Sequence, residues 1–178
     1  MSNVEYDPDP LLFPSQAWFE AYEEAINDDE AYREASEGWG VDFEGDFLFE
    51  MTEMPVEEMD TAAMPEYLRE ELDEYVTPEE GKGHVGRAYL GLEDGRCTGA
   101  RLVEPDSVDP GFRLTAPTET WKALLDQEIG IIDGMMSGKF QLDGDMQKVL
   151  QYSQAAVRLT DIAGEIDAAF ADERYDGG

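Results

Sequence analysis

The sequence predicts an α+β fold, a mostly antiparallel sheet of five strands covered by helices. Two observations carry this expectation. Apolar residues recur at helical spacing toward both ends of the 178-residue chain, and at alternate positions through its middle. Between two of the middle runs stands Asp94-Gly95, the dipeptide of a tight hairpin turn. At 42% hydrophobic and 11% aromatic residues, the chain has ample material for one core. A domain of this size buries roughly 70% of its unfolded surface without needing staples.

The elements follow in order. Residues 1–13 are polar and proline-punctuated, and read as a loose arm. Pro14 opens PSQAWFEAYEEAIND, where Trp18, Tyr22 and Ile26 recur every fourth residue with Phe19 alongside and acids opposite. DDEAYREASEGWG continues as a second short helix, capped by Asp28 or Asp29 and stopped by Gly38. In VDFEGDFLFEMTEM, Phe43, Phe47 and Phe49 share one register, the mark of a strand. Residues 54–82 are acidic and broken by Pro55, Pro65 and Pro78. They read as an insertion between two strands, with a helix from Pro65 to Tyr75 that shows Leu68, Leu72 and Tyr75 on one side. HVGRAYLGLEDG and RCTGARLVE form the hairpin, with Cys97, Gly99, Arg101 and Val103 alternating against Thr98, Ala100 and Leu102. After a loop, FRLTAP is a fourth strand. PTETWKALLDQEIG is a helix, IIDGMMSG a brief helical turn, and KFQLDG a fifth strand. DMQKVLQYSQAAVRLTDIAGEIDAAF is a long helix, with an interruption expected near Gly164.

Charge excludes several functions. Forty-three acids against twelve bases give a formal net charge of −31. Duplex nucleic acid or an anionic membrane surface would repel such a chain. The composition suits a salt-rich cytoplasm. At molar salt the Debye length is about 3 Å, so surface carboxylates barely repel one another while keeping the protein hydrated. The expectation is a cytoplasmic protein of a salt-accumulating, archaeal-type halophile. The acidic runs are then solvated faces rather than metal sites. No secretory signal and no span of about 18 apolar residues is visible, so no stable membrane insertion is expected.

Catalytic chemistry finds little support. His84 is the only histidine and Cys97 the only cysteine. G-x-S-x-G is missing, and GKGHVG lacks the spacing of a phosphate-binding loop. LDGDMQ has two of the acids of a calcium loop, but Gln147 and then Lys148 stand where a third ligand and a glycine would be needed. The expectation is a protein that is not an enzyme, with no cofactor and no metal.

The remaining signal is apolar. The stretch SGKFQLDGDM, Ser137 to Met146, followed by an apolar helix, resembles the sterol carrier protein type-2 family. FRLTAPTETW and IGIIDGMMSG are similar to the family's strand-helix start and short helix, and the likeness extends over most of residues 18–159. Residues 54–82 depart from its shorter strand connection. The resemblance implies a domain over residues 14–160, residues 161–178 being a helical extension and tail. It also implies a five-stranded sheet under helices, with an apolar tunnel between them for an acyl, isoprenoid or sterol-like ligand. The candidate lining is Phe47, Phe49, Trp121, Leu124, Leu125, Ile131, Met135, Met136, Phe140, Met146, Val149 and Leu150. Gly144 would take a backbone angle that a side chain resists, and Asp145 would cap the closing helix. The partner expected is a hydrophobic small molecule, with no nucleic acid; a homodimer stays open. The competing reading is an interaction or scaffold module with a filled core, using residues 67–75 as its contact surface.

Overall fold

The computed structural model describes residues 11–175; most of the expected N-terminal arm lies outside that range. The described part of the arm is not loose. Leu11–Phe13 forms strand β1, with Leu12 and Phe13 buried. Helix α1, Gln16–Asn27, begins where Ser15 accepts a hydrogen bond from the Trp18 amide through its hydroxyl (3.2 Å), and buries Trp18, Phe19, Tyr22 and Ile26. Helix α2, Glu30–Ala35, is capped by Asp29, which accepts from the Tyr32 amide at 2.7 Å.

Strand β2 is Phe47–Met54; Phe43 precedes it rather than sharing its register. Two short 3₁₀ turns, Val56–Glu58 and Thr61–Ala63, lead to helix α3, Glu66–Tyr75, and then to strand β3, Thr77–Glu79. Residues 54–82 therefore add a strand to the sheet. Its Pro78 is tolerated because β3 is an edge. Strands β4 (Gly83–Glu93) and β5 (Arg96–Leu102) make the hairpin, closed at Glu93 and Arg96. An irregularity between Gly91 and Leu92 breaks the simple alternation, so that Cys97 and Ala100 are both buried. Strand β6 is Phe112–Pro117, followed by helices α4 (Thr118–Leu125) and α5 (Ile131–Met136) and strand β7 (Gln141–Asp143).

The expected long last helix is divided. Helix α6, Met146–Gln151, and helix α7, Ser153–Glu165, meet at Tyr152, whose backbone (φ −112°, ψ 35°) leaves the helical region. Gly164 stays helical; a Cβ there would lie 3.0 Å from the Leu125 carbonyl oxygen, so glycine permits close packing rather than a break. Strand β8, Ala168–Phe170, and helix α8, Ala171–Arg174, follow.

The main sheet has six strands rather than five. It runs β3-β4-β2-β6-β7, with β5 on the same edge of β4 as β3. Nor is it purely antiparallel, because β2 and β6 pair in parallel, Phe47 with Phe112 and Phe49 with Leu114. A separate two-stranded parallel pair joins β1 to β8, Leu11 beside Ala168 and Phe13 beside Phe170. Residues beyond 160 are thus built into the body: Ile162, Ala163 and Ala171 are buried.

The alternation of the strands divides the sheet faces by chemistry. Phe47, Phe49 and Met51 point with Ala88, Leu90, Phe112 and Leu114 toward the helices. On the other face Glu50 stands opposite Arg87 and beside Thr115. Its carboxylate takes Arg87 Nε at 3.0 Å, Arg113 Nη1 at 2.8 Å and the Thr115 hydroxyl at 3.0 Å. Arg87 also pairs with Glu79 of β3. Glu50 is 5% and Arg87 7% exposed, so this cluster is enclosed. Burial pushes the Glu50 carboxyl up, but the Thr115 and Arg87 hydrogen bonds and the Arg113 and Arg87 charges outweigh it. The net position is below the usual carboxylate range.

Candidate functional site

Between the apolar face of the sheet and the helices lies a cavity of about 130 Å³. An apolar cavity of about 150 Å³ stays dry and takes up a benzene-sized guest, so this void has the character of a hydrophobic site. Its floor is Phe47, Phe49 and Met51 of β2, Ala88 of β4 and Leu114 of β6. Trp121, Leu124 and Leu125 of α4 enclose it, with Ile131 and Met135 of α5, Val149 of α6, and Ala156 and Leu159 of α7. Trp121 is fixed by its indole N–H, shared between the carbonyls of Glu50 (3.1 Å) and Ala116 (3.0 Å), so its ring presents a wall to the cavity without an unsatisfied donor.

Eight of the twelve expected residues border the cavity: Phe47, Phe49, Trp121, Leu124, Leu125, Ile131, Met135 and Val149. Four do not. Phe140 is buried behind the wall, edge-on to Trp121 with ring centroids 5.0 Å apart. Met136 is 67% and Leu150 40% exposed, each turned outward by one helical position from Met135 and Val149. Met146 begins α6, half-buried and away from the cavity.

The turn before α6 behaves as its sequence suggested. Gly144 has φ +150°, and a Cβ there would come within 2.5 Å of the Phe112 ring. Asp145 accepts from the amides of Gln147 (3.0 Å) and Lys148 (3.4 Å). The turn folds α6 down onto the sheet, which brings Val149 to the cavity.

The sequence reading missed two walls. Phe13, Trp18, Phe19 and Tyr22 close the cavity from β1 and α1, and Leu68, Leu72, Tyr75 and Val76 close it from α3 and its end. Their helical stripes were visible, but periodicity does not tell a packed face from a lining face. The Tyr22 hydroxyl donates to the Leu159 carbonyl at 2.9 Å; burial, with Tyr32 and Cys97 nearby, pushes its pKa up, so it stays neutral. A second apolar cluster, Leu12, Met59, Met64, Leu68 and Ala171, joins residues 59–68 to both ends of the described chain.

Two ionisable groups of opposite sign border the cavity, Glu71 and Arg87. The Arg87 guanidinium is committed to Glu50 and Glu79 on the other face of the sheet, although its Nη1 is enclosed without a hydrogen-bond partner. Glu71, half-buried on α3, accepts from the Gln16 amide at 3.1 Å and so latches α3 to the first turn of α1. Burial raises its pKa; the Gln16 bond opposes this, and the charges of Glu20 and Glu74 add to it.

Among the described residues, no group of three His, Cys, Asp or Glu side chains could hold a metal ion, and no helix is long and apolar enough to cross a membrane. Cys97 is buried, and desolvation pushes its thiol up to about 11.

Residues 75–157 match the SCP-2 sterol transfer family. The crystal structure of a sterol carrier protein 2 aligns with a TM-score of 0.63 at 26% identity, over 85% of this chain and 97% of that one. The solution structure of a conserved hypothetical protein from Thermus thermophilus, suggested to be a sterol carrier protein, aligns with a TM-score of 0.63 at 27% identity, over 87% and 90%. No curated protein matches the sequence. The fold is SCP2-like, and the cavity walls at Phe13 to Tyr22 and at Leu68 to Leu72 precede the matched residues.

Proposed function

We propose that this chain, with its SCP2-like fold and its family match over residues 75–157, binds and carries a hydrophobic small molecule in the cavity between sheet and helices. An acyl, isoprenoid or sterol-like lipid is the ligand class. The observation that carries the reading is the cavity itself: sheet and helices both turn apolar side chains toward unfilled space, where a scaffold module would have a solid core. The sterol carrier structures of the same fold support the same reading.

The driving force is burial. Each methylene moved from water into the cavity contributes about 0.8 kcal/mol, so the roughly six carbons that a benzene-sized space holds contribute about 5 kcal/mol, before the cost of immobilising the ligand. No chemical step is assigned to any residue; the role is that of a binder rather than an enzyme. The net charge of −31 supports a setting in the cytoplasm of a salt-accumulating halophile, where isoprenoid lipids are in good supply.

Native mass spectrometry on protein purified from a halophilic host, kept in molar salt until a brief final exchange, tests the reading. A stoichiometric co-purifying lipid is the expected result. A bare chain that also takes up no acyl or isoprenoid probe in salt would overturn it and favour an interaction module.

A further inference from the structure

We propose that Glu71 selects the polar end of the ligand, so that the cavity takes a long-chain alcohol and rejects the fatty acid of the same length. The proposal rests on the binding reading above and adds a substrate class to it.

Among the described residues, Glu71 is the one acidic residue that borders a mostly apolar cavity. One carboxylate oxygen, Oε1, is held by the Gln16 amide, which fixes the group at the junction of α1 and α3. Among the described residues no donor is bonded to the second oxygen, Oε2, which in this proposal accepts from the ligand hydroxyl. The surroundings reinforce the sign. Glu20 and Glu74 act on Glu71 as further negative charges. The first turn of α1, Gln16 to Phe19, contains no base, and the Gln16 side chain donates to Glu20 (3.4 Å) and accepts from the Leu102 amide (2.9 Å). Arg87, the one base among the described residues that borders the cavity, is already balanced by two carboxylates.

An anionic head placed here meets the half-buried Glu71 carboxylate at short range, where salt screens less than at the surface; the exposed Glu20 and Glu74 add little in molar salt. A hydroxyl meets an unfilled acceptor and forms a charge-assisted hydrogen bond. Specificity of this kind comes as much from the repulsion as from the attraction. The insertion that supplies Glu71 also supplies Leu68 and Leu72 to the same wall, so the apolar and the selective parts of the site arrive on one helix.

Trp18 and Trp121 line the cavity, so intrinsic fluorescence reports its occupancy. Full-length protein in molar salt at pH 8 is titrated with dodecanol and with dodecanoate, and the Glu71→Gln variant is titrated in parallel. Glutamine keeps the acceptor for Gln16 and removes the charge. The expected result is dodecanol binding at least tenfold tighter than dodecanoate to the native protein. In the variant, dodecanoate should gain about tenfold while dodecanol changes by less. Dodecanoate binding as tightly as dodecanol to the native protein would overturn the proposal whether or not the variant folds. A ratio unchanged in a folded variant would also overturn it. Failure of both probes to alter the fluorescence would instead remove the binding reading on which it rests.

Discussion

Ala88 offers a direct measurement of whether the space between sheet and helices is empty. It sits in β4 between Phe49 and Leu102 on the flanking strands, is 4% exposed, and borders the cavity. Ala88→Leu adds three carbon groups. That increment is smaller than the benzene-sized guest that a cavity of this order accepts, so it fits without displacing a wall. At about 0.8 kcal/mol per buried methylene, three carbons add about 2 kcal/mol of stability. For a chain of this length that raises the melting temperature by about 4–8 °C. In a close-packed core the same substitution costs about 1–3 kcal/mol, because side chains must leave their rotamers. The two cases differ in sign. Scanning calorimetry in molar salt reads the stability, and dodecanol titration by tryptophan fluorescence reads the space left for a ligand. Higher melting with lower uptake is expected. Lower melting with unchanged uptake would refute the claim that Ala88 faces unfilled space, and higher melting with unchanged uptake would place the ligand elsewhere.

Other perturbations test neighbouring claims. Met135→Trp should block uptake, whereas Met136→Trp, one residue on and facing solvent, should leave uptake and stability within about 0.5 kcal/mol of native; the same fluorescence titration separates them. Glu50→Ala leaves Arg87 enclosed without its main partner and should cost about 3–5 kcal/mol in a denaturant titration; a loss under 1 kcal/mol would show that the cluster is not effectively buried. Because the folded state holds the Glu50 carboxyl below its unfolded pKa, its contribution is present above the unfolded value and lost as pH falls through the folded one. The acid limb of the stability curve should therefore flatten in the variant. Glu71 has the opposite sign: its pKa is raised by folding, so its charge opposes folding as pH rises past the unfolded value, and Glu71→Gln should melt higher than native at neutral pH. Lowering the salt from molar to about 0.01 M lengthens the Debye length from about 3 to about 30 Å, and the carboxylate surface should then unfold the chain; an unchanged far-UV spectrum would remove the halophile assignment.

Local signals in the sequence proved more readable than pairings. Asp29 and Asp145 cap helices by reaching amides two or three residues away, and Asp94-Gly95 turns a hairpin between neighbours in the chain. Such contacts are written within a few residues. The parallel pairing of β2 with β6 joins residues about 65 apart and leaves no local trace, which is why the sheet was expected to be antiparallel. β3 was hidden by Pro78, which forbids a central strand but not an edge. The site divides the same way. Met135 and Met136 are chemically alike, and only the helix phase, set by the packing of α5, sends one to the cavity and the other to solvent. The α1 and α3 walls carried ordinary amphipathic stripes, and such a stripe looks the same against a neighbour or against a void.

The parallel pairing of β1 with β8 sets a condition on when the cavity can exist. Phe13 is one of its walls, and Phe13 is held beside Phe170, 157 positions later in the chain. During synthesis at about 5–20 residues per second, the six-stranded sheet can be complete while β1 still lacks its neighbour. Over those seconds the apolar floor has an open side. A nascent chain is therefore most exposed to aggregation just before it becomes able to bind, and a ligand already present could close that side before the last strand arrives.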